Sequence, residues 1–75
     1  MKPYNGHRSW NAWNVSLWIN NDEPLYREAL ALVKARGRHR AASYFAASHN
    51  GERTPDGAVY YIRAVYDAME GMDET

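Results

Sequence analysis

The sequence predicts an all-α protein, a small single-domain bundle of about four short helices. Three observations carry this. Apolar residues recur at helical spacing in successive segments. Asp22-Glu23-Pro24, Gly37, Asn50-Gly51, Thr54-Pro55-Asp56 and Gly71 punctuate the chain as helix stops and starts. The stretch "RHRAASYFAASHNG" is alanine-rich and, apart from Tyr44 and Phe45, lacks strong β formers.

Residues 1–8, "MKPYNGHR", hold Pro3 and the turn pair Asn5-Gly6 and are expected to form an irregular arm. Ser9 then caps a first helix, with Trp10, Trp13, Leu17 and Trp18 on one face. Asn11, Asn14 and Ser16 fall on the other side, and Asn20-Asn21 ends the helix. Asp22 is an N-cap for a second helix reaching Arg36, with Pro24 in the first turn, where its missing N–H costs nothing. Leu25, Ala29, Leu32 and Val33 are its apolar stripe, flanked by Tyr26 and Leu30, and Gly37 is its C′ residue. A third helix runs from Arg38 to Ser48 with Ala41, Ala42, Phe45 and Ala46 inward. Thr54 is expected to cap a fourth, from Pro55 to Met69, burying Val59, Ile62, Val65, Tyr66 and Met69. Residues 70–75 then form a frayed acidic tail. Connections of about two to seven residues suit a compact bundle.

The chain has 75 residues and no cysteine, so neither a disulfide nor a thiolate metal cage can stabilise it. Burial of large aromatics is the remaining route: three Trp, six Tyr and one Phe. Three tryptophans and four asparagines crowd into "WNAWNVSLWINNDEP", which begins at Trp10. The core reading places Trp10 and Trp13 against helices two and four. A second reading makes the run a partner site, with Trp18 the best candidate, because Leu17, Trp18 and Ile19 are consecutive and cannot all face one core. Stacking on nucleic acid bases ranks last, since the aromatics alternate with asparagines rather than cations.

Nine Lys and Arg balance nine Asp and Glu. The charges are nonetheless polarised. Lys34, Arg36, Arg38, His39 and Arg40 form a basic joint around Gly37, and Asp67, Glu70, Asp73 and Glu74 an acidic end. The joint reads either as a solvated turn, its cations favoured near a helix C-terminus, or as a contact for phosphates or an acidic protein surface. The alanines of "AASYFAAS" are too small to read bases. His7, His39 and His49 lie in separate segments without metal-binding spacing, and neither a phosphate loop nor a nucleophile elbow is present. No catalytic residue, cofactor or metal is expected, and the chain does not read as an enzyme. No apolar run approaches the length of a membrane span, so a cytoplasmic protein is expected.

The run "NGHRSWNAWNVSLWINNDEPLYREAL" resembles a motif of small bacteriophage and prophage proteins without an established biochemical role: a turn, Trp-x-x-Trp, Val-x-Leu-Trp-Ile, Asn-Asp-Glu, then Leu-Tyr-Arg on a helix. The "TPDG" at 54–57 is also similar. The resemblance implies a viral context and transfers no site residues. In that context small proteins are often accessory factors that inhibit host defence, CRISPR–Cas systems included, by covering a protein surface. The function expected is therefore noncatalytic binding of a host protein in the host cytoplasm, as an anti-CRISPR or other anti-defence inhibitor. The alternatives are a small nucleic-acid-binding or regulatory protein using segment 34–40, and a structural virion or replication accessory. A homo-oligomer is compatible with each.

Overall fold

A computed structural model of the chain describes residues 6–74. The expected arm at 1–8 thus falls largely outside the described residues, as does Thr75. Four helices follow one another: α1 (Trp10–Asn21), α2 (Glu23–Arg36), α3 (Arg38–Ser48) and α4 (Ile62–Ala68), with a 3₁₀ turn at Met72–Glu74. Each packs on the next, α3 and α4 across the longer connection 49–61, and α4 closes the ring against α1. Among the described residues there is no strand, only an isolated antiparallel bridge between Arg53 and Val59. The protein is all-α, as the sequence predicts.

The first two joints are single residues. Asp22 ends α1 by donating its N–H to the Trp18 carbonyl (2.9 Å) and begins α2 by accepting from the Leu25 N–H (3.2 Å). Gly37 closes α2 through Val33 (2.8 Å) at φ 83°, a conformation open to glycine without a Cβ penalty. Ser9 caps α1 by accepting from the Ala12 N–H. The core holds two rings, Phe45, fully buried, and Tyr60, with Val15, Ile19, Val33, Val65 and Met69 in the same cluster. Ala29, Ala41, Ala42, Ala58, Ala64 and Ala68 are buried too, which lets the helices approach closely. Residues 72–74 were expected to fray, but Met72 is buried and their turn packs on α2.

Two sequence expectations need correction. The fourth helix does not start at Pro55; it starts at Ile62. Thr54 is not its cap but the first residue of a turn in which the Gly57 N–H donates to the Thr54 carbonyl (2.8 Å) and Gly57 adopts φ 99°. Pro-Asp-Gly is a turn sequence before it is a helix start: Pro presets φ, Asp tolerates the corner and Gly takes the positive φ. Ile62, assigned to the core, is accordingly exposed, and Val59 and Tyr66 are only half-buried.

The tryptophans are the second correction. Trp10 is 40% exposed and Trp13 half-buried, so neither anchors the core. Buried on α1 with Ala12, Val15 and Ile19 is Asn14, expected outside and only 1% exposed. It accepts from the Thr54 hydroxyl (2.6 Å) and donates to Asp56 (2.8 Å). The Trp18 indole N–H reaches the same Asp56 oxygen (2.9 Å). One turn earlier, Asn11 grips the Val59 peptide by both ends, donating to its carbonyl (2.8 Å) and accepting from its N–H (2.9 Å). Two asparagines thus do for segment 53–59 what a neighbouring strand would otherwise do. No buried side-chain polar atom among the described residues lacks a partner.

Candidate functional site: a cation-rimmed groove between α3 and α4

Because the 54–57 turn is held against α1, the chain re-enters the bundle at Tyr60 and presents Tyr61 and Ile62 to solvent. They are 61% and 55% exposed, beside Tyr44 of α3 at 50%. A groove of about 610 Å³ opens there, with His39, Arg40, Ala42, Ser43 and Tyr44 on one wall and Ile62, Arg63 and Tyr66 on the other. None of these lining residues is acidic. A second depression continues it along α3, sharing Ser43 and Ile62 and adding Ala46, Ala47, Gly51 and Tyr61.

The basic joint supplies the rim, though not uniformly. Arg38 turns inward: its Nε donates to the Tyr66 carbonyl (2.8 Å) and its guanidinium lies 3.9 Å from the Tyr66 ring centroid. The Tyr66 carbonyl, in the last turn of α4, also accepts from the Met69 N–H (3.2 Å), so Arg38 is its second donor. His39 meets the same ring at 4.7 Å. Arg36 lies 4.2 Å from the ring centroid of Tyr44. Arg40 is exposed at the groove edge, whereas Lys34, also exposed, is not among its lining residues. Arg63, which the charge pattern did not single out, joins the rim from α4.

The acidic end is divided among several surroundings. Asp67 pairs with Arg8 (3.1 Å) and Arg63 (3.3 Å). Glu70 lines a separate shallow depression with His7 and Arg8. Asp73 and Glu74 are exposed beyond it. Trp18 is elsewhere again. It is half-buried on α1 with its indole bonded to Asp56, and of the run Leu17-Trp18-Ile19 it is Leu17 that faces outward, 39% exposed.

One cluster at the far end of the second depression holds the long segment to the bundle. His49 lies between Phe45 (4.4 Å) and Tyr60 (5.1 Å), with Nδ1 against Glu52 (2.8 Å) and Nε2 against Glu28 of α2 (3.0 Å). Burial lowers its pKa, but the bonds and charges of Glu52 and Glu28 outweigh that and raise it above the usual value. Each ring nitrogen faces one carboxylate, so the three groups do not converge on a cation. Among the described residues no group of three His, Asp or Glu side chains is placed to hold a metal ion.

Fold and site define, over the described residues, a small all-α domain with an apolar groove between α3 and α4 that Arg40 and Arg63 edge. The chain belongs to a family of unknown function (DUF7249), whose model matches residues 1–75. No curated protein and no solved structure matches it. Among the described residues no helix is long and apolar enough to cross a membrane.

Proposed function

We propose that the protein acts by noncatalytic contact, binding and inhibiting a host protein as an anti-CRISPR or other anti-defence inhibitor does, with the α3–α4 groove as its docking surface. The observation that carries the docking site is Tyr44, Tyr61 and Ile62 exposed together in a chain of this size, beside His39, Arg40 and Arg63. Exposed apolar side chains grouped in a concavity favour a protein partner, and cations at the edge steer it. The viral context rests on the Trp-x-x-Trp and Asn-Asp-Glu resemblance alone. A nucleic acid partner is the competing reading. It is disfavoured because the Tyr66 ring already meets Arg38 and His39 and the Tyr44 ring meets Arg36, which leaves Tyr61 as the exposed ring for a base to stack on.

The test is capture from a bacterial host lysate by the wild-type chain and by Ile62→Asp and Arg40→Glu, with mass spectrometry of what is retained. Both changes are at exposed positions, so the helical circular dichroism should stay as in the wild type. A partner held by the wild type and lost by both variants supports docking in the groove. A partner retained equally by all three moves the docking surface elsewhere. Binding of duplex or single-stranded DNA that falls steeply with salt would favour the nucleic acid reading instead.

A further inference from the structure

The groove is not chemically uniform along its length, and that asymmetry describes what fits it. At one end stand Arg40 and Arg63, with the His39 ring beside them; no acid lines that part, and Arg63 also meets Asp67 (3.3 Å) outside it. The same end coincides with the start of α3. That helix has no acidic residue in its first turn, and its N-cap, Gly37, supplies no side-chain hydrogen bond. The partial positive charge of the helix terminus therefore adds to the cations rather than being answered within the chain. Toward the C-terminal half of α3 the walls become mainly Ala46, Ala47, Tyr61 and Ile62, with His49 and Asn50 at the far end. The one acid there, Glu52, is bonded to His49 at 2.8 Å. The small residues leave the floor low, so a chain can lie close against the helix.

We infer that the groove takes a short segment of a protein partner that is acidic at one end and apolar at the other. Its carboxylates lie over His39, Arg40 and Arg63, and its apolar side chains over Ala46, Ala47 and Ile62. This rests on the docking reading above and adds the occupant's chemistry and direction. Length follows from α3: nine helical steps take the chain from His39 to Ser48, the last residue of the helix. At about 1.5 Å per helical residue the groove is about 14 Å long. At about 3.3–3.6 Å per residue, that is about four residues of extended chain. A polyanion fits poorly, because its phosphates repeat along the whole strand while the cations sit at one end.

The experiment uses the full chain and fluorescence anisotropy with three labelled probes. The first is a peptide with a Glu run followed by a Leu and Ala run, the second its Lys counterpart, and the third oligothymidylate. The Glu peptide should bind on the order of tenfold more tightly than the Lys peptide. Arg40→Glu should abolish that preference, and Ile62→Asp should weaken binding of the Glu peptide. A photo-reactive group at the apolar end should label the Ala46–Ala47 region and not His39 or Arg40. Equal binding of the Glu and Lys peptides, still sensitive to Ile62→Asp, would overturn the charge assignment and leave groove docking intact. Glu-peptide binding indifferent to both substitutions, labelling in the reverse direction, or no binding at millimolar peptide would overturn the inference. The host-lysate capture would then judge docking separately. Tighter binding of oligothymidylate than of either peptide would overturn the inference and the docking reading together.

Discussion

Replacing Asn14 by Ala should be among the most damaging single changes in this protein. The side chain is 1% exposed, accepts the Thr54 hydroxyl at 2.6 Å and donates to Asp56 at 2.8 Å. Thr54 is itself 3% exposed, so truncation leaves its hydroxyl proton without an acceptor in a place water does not reach. An abandoned buried polar group costs about 1–3 kcal/mol. The space left by the amide adds a cavity cost, for a loss of about 3 kcal/mol. A domain of this length has about 4–11 kcal/mol in all, at about 0.05–0.15 kcal/mol per residue. The midpoint of thermal unfolding should therefore fall by about 12–24 °C, at about 4–8 °C per kcal/mol. Urea unfolding followed by circular dichroism measures the loss. A double-mutant cycle with Thr54→Ala should show coupling of about 0.5–3 kcal/mol, because either change alone strands the other partner. A loss below about 0.5 kcal/mol, or two effects that simply add, would mean that water satisfies this pair and that the network does not hold the turn.

Three further outcomes follow from particular residues. Trp10→Ala should cost well under the about 3–5 kcal/mol of a buried Trp, since Trp10 is 40% exposed; a core-sized loss in a melting curve would contradict the burial. Gly57→Ala should destabilise by about 1–2 kcal/mol at φ 99° although nothing lies within 4 Å of the added methyl, and an unchanged melting midpoint would show that the turn relaxes freely. His49 has a raised pKa in the folded state, so its contribution is complete below the unfolded value of about 6.5 while Glu28 and Glu52 stay ionised, and fades as pH rises through the folded value. His49→Gln should remove that slope from stability measured between weakly acid and alkaline pH, and a slope that survives belongs to another group.

Much of the fold was legible because α1, α2 and α3 announce themselves locally. Ser9, Asp22 and Gly37 each carry the chemistry of their joint in their own side chain or lack of one. The segment 49–61 was less so, because "TPDG" satisfies two grammars: helix start and tight turn. What decides between them is not local. It is the grip of Asn11 and Asn14, more than forty residues earlier in the chain, and no periodicity within 54–69 reports it. The same grip explains the tryptophans. Helical spacing shows which residues share a face but not whether that face meets apolar side chains or a polar loop. At the candidate site, the charge run revealed Arg40 and His39, whereas Tyr44, Ile62 and Arg63 became visible only once α3 and α4 lay side by side.

Asn11 binds Val59 through its peptide group alone, touching donor and acceptor and not requiring any particular side chain. A clamp of that kind is indifferent to the identity of the residue it holds. The neighbouring positions 61 and 62, which furnish one wall of the groove, are therefore free to vary without unpicking the turn behind them. The bundle can thus keep its frame while the shape it offers to another molecule is rewritten residue by residue.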